Sequence, residues 1–327
     1  GFVLDVDRST PPILFHHAET FRLEKLPADR SRVIYPAEPL PGLPDPEGAI
    51  RDALLNPIED DPLPSLLTPG MKLTIAFDDI SLPLPQMQKP DVRQRIIEAV
   101  LDMAAAAGVD DVHLIAALAL HRRMTEDELR HCLGDRVYDA FAPHGALYNH
   151  DAEDPDGMVE LGTTRHDELV TMNKRAAESD LLIYVNINLV SMDGGWKSTA
   201  TGLAGYSAIK HHHNVDTMRK STSFMDRHSS ELHHSNWRQG EVIKNHGPRI
   251  FQIETTVNNN TFGYDGPLSI LQKREWEWTA RDRATFMGMQ AGLKAMPTSA
   301  RRKAFHAWRA PYELTSVQAG SVEAVHE

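Results

Sequence analysis

The sequence predicts an α/β fold built on a doubly wound, mainly parallel, Rossmann-like sheet. Three observations carry that expectation. Short apolar runs alternate with amphipathic helical patterns, the runs end in polar or charged residues, and 41% apolar composition over 327 residues supplies one large core or two smaller ones.

Between Pro36 and Pro69 proline removes backbone donors and fixes φ, so this stretch should wrap a surface rather than join a sheet. One short helix interrupts it. Asp45 is placed to cap it, Pro46 suits its first position, Ala49, Ile50, Ala53 and Leu54 form its apolar stripe, and Asn56 with Pro57 stops it. Leu73 to Phe77 (LTIAF) reads as a strand ending in Asp78 and Asp79, after which Pro83 and Pro85 forbid ladder pairing. Asp91 to Ala107 places Val92, Ile96, Val100 and Met103 on one helical face and ends at Gly108. Val112 to Leu120 then reads as a buried strand, completing a right-handed strand, helix, strand unit with His121 at its carboxyl end.

Thr125 with Glu128 forms a capping-box pattern opening a helix whose buried face is Leu129, Cys132 and Leu133, with Gly134 expected to end it. Asn149 to Gly157 reads as a loop, and Leu181 to Val185 (LLIYV) as a buried strand leading to the turn at Gly194 and Gly195, just before Lys197. Arg249 to Val257 alternates as a further strand that Asn258, Asn259 and Asn260 break, and Trp276 to Trp308 is weakly helical. The expected division is a segment over 1–70 packed on the core, an α/β cofactor-binding catalytic domain over 71–270, and a helical extension over 271–327. Ligands of such sheets bind at the carboxyl ends of strands, where Asp79, His121 and Lys197 all fall.

Composition narrows the partners. The formal charge of -12, from 46 acidic and 34 basic side chains, opposes a polyphosphate partner and argues against nucleic acid. The longest apolar run, Leu114 to Leu120, is far short of the ~20 residues that cross a bilayer, so no membrane association is expected. A single cysteine, Cys132, forms no internal disulfide and fits the cytoplasm. The chain holds 17 histidines, and their clustering matters because imidazole is both metal ligand and proton carrier.

His211, His212 and His213 offer imidazoles suited to nickel, zinc or copper, or else a solvated patch or helix cap. Adjacent residues point in different directions, so one ligand among the three is the expectation. His228, His233 and His234 read as an exposed polar segment. Lys197 follows GGW, which superficially matches a phosphate-binding P-loop, yet that motif needs glycine where Trp196 and Ser191 stand. A lysine beside a glycine turn can still meet a phosphate or attack a carbonyl-like carbon, or be an ordinary surface lysine. Asp79 can orient a ligand or cap a turn, and His121 can act as a general base or pack in its loop. Two histidines four apart flanking a glutamate do not occur around His211 to His213, which disfavours a zinc hydrolase.

In combination, DPEGAIRDALLNP from Asp45, FDDISLPLP, LHRRMTEDELRHCLGD, NHDAEDPDGMVELGTT, and GGWK followed by His213 resemble the nickel-pincer lactate racemase family over roughly residues 30 to 260. The resemblance implies a pyridinium-3,5-bisthiocarboxylic acid mononucleotide held by a thioamide link to Lys197, with nickel bound by the pincer and His213. It also implies that His121 takes the substrate hydroxyl proton while hydride moves to the cofactor, and that Asp79 and Ser81 lie near the cofactor. The implied activity is that of an isomerase, a racemase or epimerase of a 2-hydroxy acid, with cofactor-maturation enzymes as partners. The alternatives are another hydride-transfer enzyme with the same cofactor and a non-catalytic cofactor- or metal-binding domain.

Three departures bear on this. Leu82 stands where the family's lactate racemases carry an arginine, which removes a bidentate carboxylate clamp and argues against lactate itself. Asn186, Ile187 and Asn188 stand where a second catalytic histidine is expected. The family's second α/β domain is expected to begin about where this sequence ends.

Overall fold

Six strands form the central sheet of the computed structural model, which describes residues 1–80, 85–263 and 267–326. In chain order they are β1 (Lys72–Asp78), β2 (Asp111–Ala117), β3 (Leu147–Asn149), β6 (Leu181–Asn188), β7 (Arg249–Val257) and β8 (Leu314–Gly320), with β4 (Met158–Thr163) and β5 (Leu169–Asn173) forming a separate antiparallel hairpin. Their spatial order is β8-β7-β6-β1-β2-β3, and every pair is parallel except β7 with β8. The chain therefore moves outward from β1 to β3 and returns to the opposite flank of β1 as β6. That reversal makes a switch point between the carboxyl ends of β1 and β6, where the loops diverge and leave a crevice.

Alternation along β1 sends Leu73, Ile75 and Phe77 to one face and Thr74 and Ala76 to the other, and all five are fully buried. Both faces of the sheet are thus covered, as a doubly wound fold requires. On the second face Ala76 packs in a cluster with Ile115, Leu182, Tyr184, Trp196 and Ile243.

Helices α1 (Pro46–Leu55), α2 (Val92–Ala106) and α3 (Glu126–Phe141) start where their caps direct. Asp45 accepts from the Gly48 N–H, Asp91 from the Arg93 N–H, and Thr125 makes the expected capping box with Glu128. Gly134 does not end α3 as its sequence position suggested. It takes φ 77, ψ 161 and kinks the helix, which resumes to Phe141. A Cβ there would lie 2.4 Å from the Gln94 side chain, so glycine serves close packing rather than termination. Further along come α4 (Trp196–Ala200), α5 (Tyr206–Ile209), α6 (Val215–Lys220), α7 (Glu231–His246) and α8 (Val322–His326).

The chain forms two compact units, one comprising Gly1–Pro41, Leu84–Gln88 and Asn258–Glu313, the other Gly42–Pro83, Lys89–Val257 and Leu314–Glu327. This grouping differs from the contiguous segments expected, because Leu314–Glu327 belongs to the second unit, while the first gathers Gly1–Pro41 with Leu84–Gln88 and Asn258–Glu313. Its hairpins, Phe2–Asp5 with Arg32–Tyr35 and Ile13–His17 with Thr20–Glu24, share it with helices Ala280–Ala295 and Thr298–Ala307. Phe21, Ile270, Trp278 and Phe286 form its core, and buried Glu275 accepts from the Leu14 N–H and the Tyr35 hydroxyl. The expected helical extension is also interrupted: Leu314–Gly320 is an antiparallel strand of the central sheet. Threonine, serine and glutamine obscure its alternation in sequence.

Candidate functional site

The switch point gathers its side chains through three anchored loops. At the end of β1 the two aspartates diverge. Asp78 turns inward, accepting from the Ile187 N–H at 2.7 Å and the Tyr184 hydroxyl at 3.1 Å, whereas Asp79 meets His121 with Oδ2 3.0 Å from Nδ1. Burial, reinforced by the charges of Asp193 and Asp79, pushes the Asp78 pKa up to about 7. A buried guanidinium fixes this strand end. Arg93 pairs with Asp91 at 2.8 Å and donates through Nη1 to the carbonyls of Asp78 and Asp79, both at 2.9 Å.

His121 follows a tight turn in which Ala119 takes φ 51 and the His121 N–H donates to the Leu118 carbonyl. Arg122 grips buried Glu128 in a bidentate pair at 2.7 and 2.8 Å and so ties the loop to α3. The hydrogen bond to Asp79 raises the His121 pKa against the opposing effects of burial and the Lys197 charge. Because Nδ1 faces a carboxylate, it carries the proton in the neutral ring and the basic lone pair sits on Nε2.

The third loop carries Lys197. Gly194 and Gly195 take φ 86 and φ 56, and a Cβ on Gly194 would lie 2.6 Å from Asn188 Oδ1 and 2.7 Å from the Glu254 carboxylate. Only glycine fits this turn without displacing its anchor. Glu254, buried on β7, accepts from the Gly195 N–H at 2.5 Å and from Asn188 Nδ2 at 2.8 Å. Lys197 Nζ then pairs with Asp193 Oδ1 at 2.7 Å, and Asp193 Oδ2 accepts from the N–H groups of Leu189 and Val190. Sequence reasoning missed Glu254, Arg93 and Asp193: the first two act on partners 66 and 15 positions away, whereas Asp193 lies four residues before Lys197, a spacing the sequence does display.

His213 lies in the same electrostatic neighbourhood: its side chain is exposed, but partial desolvation first, then the charges of Lys197 and His121, lower its pKa. That keeps its imidazole neutral, the form a metal ligand needs. Its Nδ1 lies 2.8 Å from His212 Nδ1. Contrary to the expectation that adjacent histidines point apart, the His212 and His213 rings face each other, with centroids 4.8 Å apart; His212 is buried, and burial chiefly pushes its pKa down to about 3. Among the described residues no three His, Cys, Asp or Glu side chains could hold a metal ion by themselves, so a metal here needs ligands from another source. Ser81 and Leu82 lie outside the described residues. Cys132 is buried and its thiol is pushed up to about 12 by burial, which removes it as a nucleophile. His150 is structural: Asn173 donates to Nδ1 and the ring donates from Nε2 to the Ala204 carbonyl.

An imidazole oriented by a carboxylate, an ion-paired lysine on a glycine turn and a neutral histidine, all near a switch point, give this α/β protein groups chemically able to move a proton and to anchor a ligand. The sequence pattern of the lactate racemase N-terminal domain matches residues 17–226, and the chain belongs to that family. It is 26% identical over 169 residues to lactate racemase of Lactiplantibacillus plantarum, covering 50% of this chain and 38% of the relative, so it spans well under half of that relative's length. The fold is similar to that of the lactate racemase apoprotein from Thermoanaerobacterium thermosaccharolyticum, with TM-score 0.54 and 20% identity, covering 75% of this chain and 55% of the other. A protein of Thermotoga maritima also matches, with TM-score 0.51 and 17% identity, over 65% and 51% of the two chains. Among the described residues no helix is long and apolar enough to cross a membrane.

Proposed function

We propose that this chain is the cofactor-holding part of a racemase or epimerase acting on a 2-hydroxy acid. The observation that carries the reading is the Asp79-oriented His121 beside Lys197 and His213, in a chain of the lactate racemase family.

The donor set fits a nickel-pincer nucleotide. Lys197 offers a primary amine paired with Asp193, a carboxylate able to accept its proton when the nitrogen is acylated, and His213 offers a neutral imidazole for nickel. When bound, that group supplies nickel and a pyridinium ring that accepts and returns hydride.

The chain's own residues handle the proton. His121 Nε2 takes it from the substrate hydroxyl, Asp79 stabilises the resulting imidazolium through Nδ1–H, and the same nitrogen gives it back. No imidazole stands at the second position: Ile187 lends its N–H to Asp78, while Asn186 donates to Asn188. His212 is too weak a base to replace it. A single base therefore serves both directions. That asymmetry favours one second reading, a hydride transfer with the same cofactor that does not racemise, and product stereochemistry separates the two.

Co-production with the cofactor's maturation enzymes, followed by intact-mass and nickel analysis and chiral separation of a panel of 2-hydroxy acids, tests the proposal. The expected result is an adduct on Lys197, about one nickel per chain as a single-histidine site implies, and interconversion of one acid. Unmodified mass with no nickel would overturn it.

A further inference from the structure

A second cleft, of about 480 Å³, opens along α7, lined by Arg165 from the β4–β5 turn, Arg227 and His228 from the loop before α7, and His233, Trp237 and Glu241 from α7. Arg238, which also lines the cleft, is already neutralised, donating to Glu168 at 2.7 and 2.8 Å and to Glu231 at 2.9 Å. Arg165 and Arg227 differ: neither has a carboxylate partner among the described residues. Two guanidiniums thus face a cleft that contains one further carboxylate, in a chain whose overall charge is negative.

One wall is aromatic and rigid. His233 stacks on Trp237 with centroids 5.0 Å apart at 28°, and His326 stacks against His233 at 6.0 Å and 23°. Burial, with the surrounding positive charges of His326, His234, Arg227 and His228, pushes the His233 pKa down to about 4. Its ring therefore stays neutral and contributes a flat, weakly polar surface.

We propose that this cleft binds a phosphate monoester of a small organic molecule, with Arg165 and Arg227 on the phosphate and the organic part against the Trp237 and His233 rings. Two guanidinium forks match the charge and several acceptor oxygens of a phosphate dianion better than the single charge of a carboxylate. The ring wall favours an ester over the free inorganic ion. A small cavity bordered by Lys197 shares His233 and Trp237 with this cleft, yet Arg165 and Arg227 do not reach it, so the two sites are separable.

Calorimetric titration of the full chain with phenyl phosphate, inorganic phosphate and benzoate tests the assignment. Phenyl phosphate should bind most tightly, and added salt should weaken it as expected for exposed charges. The pair Arg165→Ala and Arg227→Ala, both exposed and compatible with folding, should weaken it on the order of tenfold or more, the loss expected for charge-assisted hydrogen bonds. Trp237→Phe should keep the ring wall and retain most of the binding. Absence of saturable phenyl phosphate binding at millimolar concentration, unchanged affinity in the double variant, or benzoate binding as tightly as phenyl phosphate would each overturn the proposal.

Discussion

Asp79 Oδ2 and His121 Nδ1, 42 positions apart in sequence, meet at 3.0 Å across the ends of adjacent parallel strands. The contact fixes the imidazole tautomer and raises its pKa, so Asp79→Asn should do two separable things. NMR titration should show the His121 pKa falling, and the rising limb of activity against pH, which follows formation of the neutral base, should move to lower pH. Stability runs the other way. The favourable pair contributes fully below the unfolded histidine value and is lost as pH rises through the elevated folded value. A His121 titration unmoved by the substitution would remove Asp79 from this role.

His121→Ala should leave any Lys197 adduct in place while lowering turnover ~10²- to 10⁴-fold, the usual contribution of a positioned base. Mass spectrometry and rate measurement on one preparation separate the two effects. Full activity in this variant would reassign the base.

Asp78 gives a pH signature of its own. Its folded pKa of about 7 stands above the ordinary aspartate value of 3.8, so the protein is most stable with this carboxyl protonated and loses stability as pH rises through that interval. Asp78→Asn should remove the loss, making the variant less pH-dependent between about pH 4 and 7, by on the order of a few kcal/mol at the upper end. Chemical denaturation across that window checks it. Identical slopes for both proteins would show that Asp78 ionises without penalty.

The central sheet was largely legible in sequence because β1, β2 and β6 are mainly apolar runs with polar ends, β7 alternates, and the caps at Asp45 and Thr125 have local partners. The grouping of Gly1–Pro41 with Asn258–Glu313 into one unit was not, since it depends on pairings such as Tyr35 with Glu275, 240 positions apart. The site followed the same division. Residue type and strand-end position pointed to His121, Asp79 and Lys197, whereas family resemblance alone singled out His213 among its neighbours. Of the acids that secure these groups, Glu254 carried no local pattern, while Asp193 stands four residues before Lys197 and was overlooked. Residue type and position alone did not separate the inward Asp78 from Asp79, since two adjacent aspartates at a strand end look alike until their partners are known; only the family resemblance chose Asp79 of the two.

Glu254 offers the sharpest check on how Lys197 is held. It is a positioning residue: its carboxylate accepts from Gly195 and Asn188, and Lys197 begins the following turn. Glu254→Ala leaves a buried backbone N–H without its acceptor, which costs about 1–3 kcal/mol and should lower the melting temperature. If the turn loosens as the geometry implies, amine-directed labelling of Lys197, now limited by its ion pair with Asp193 and its quarter exposure, should speed up while exposed Lys303 reacts as before. Glu254→Gln keeps an oxygen for Gly195 and should restore most of the stability and the slow labelling. A drop in melting temperature with Lys197 labelling unchanged would mean that Asp193 and the two glycines hold the turn without Glu254, leaving that carboxylate a purely structural acceptor.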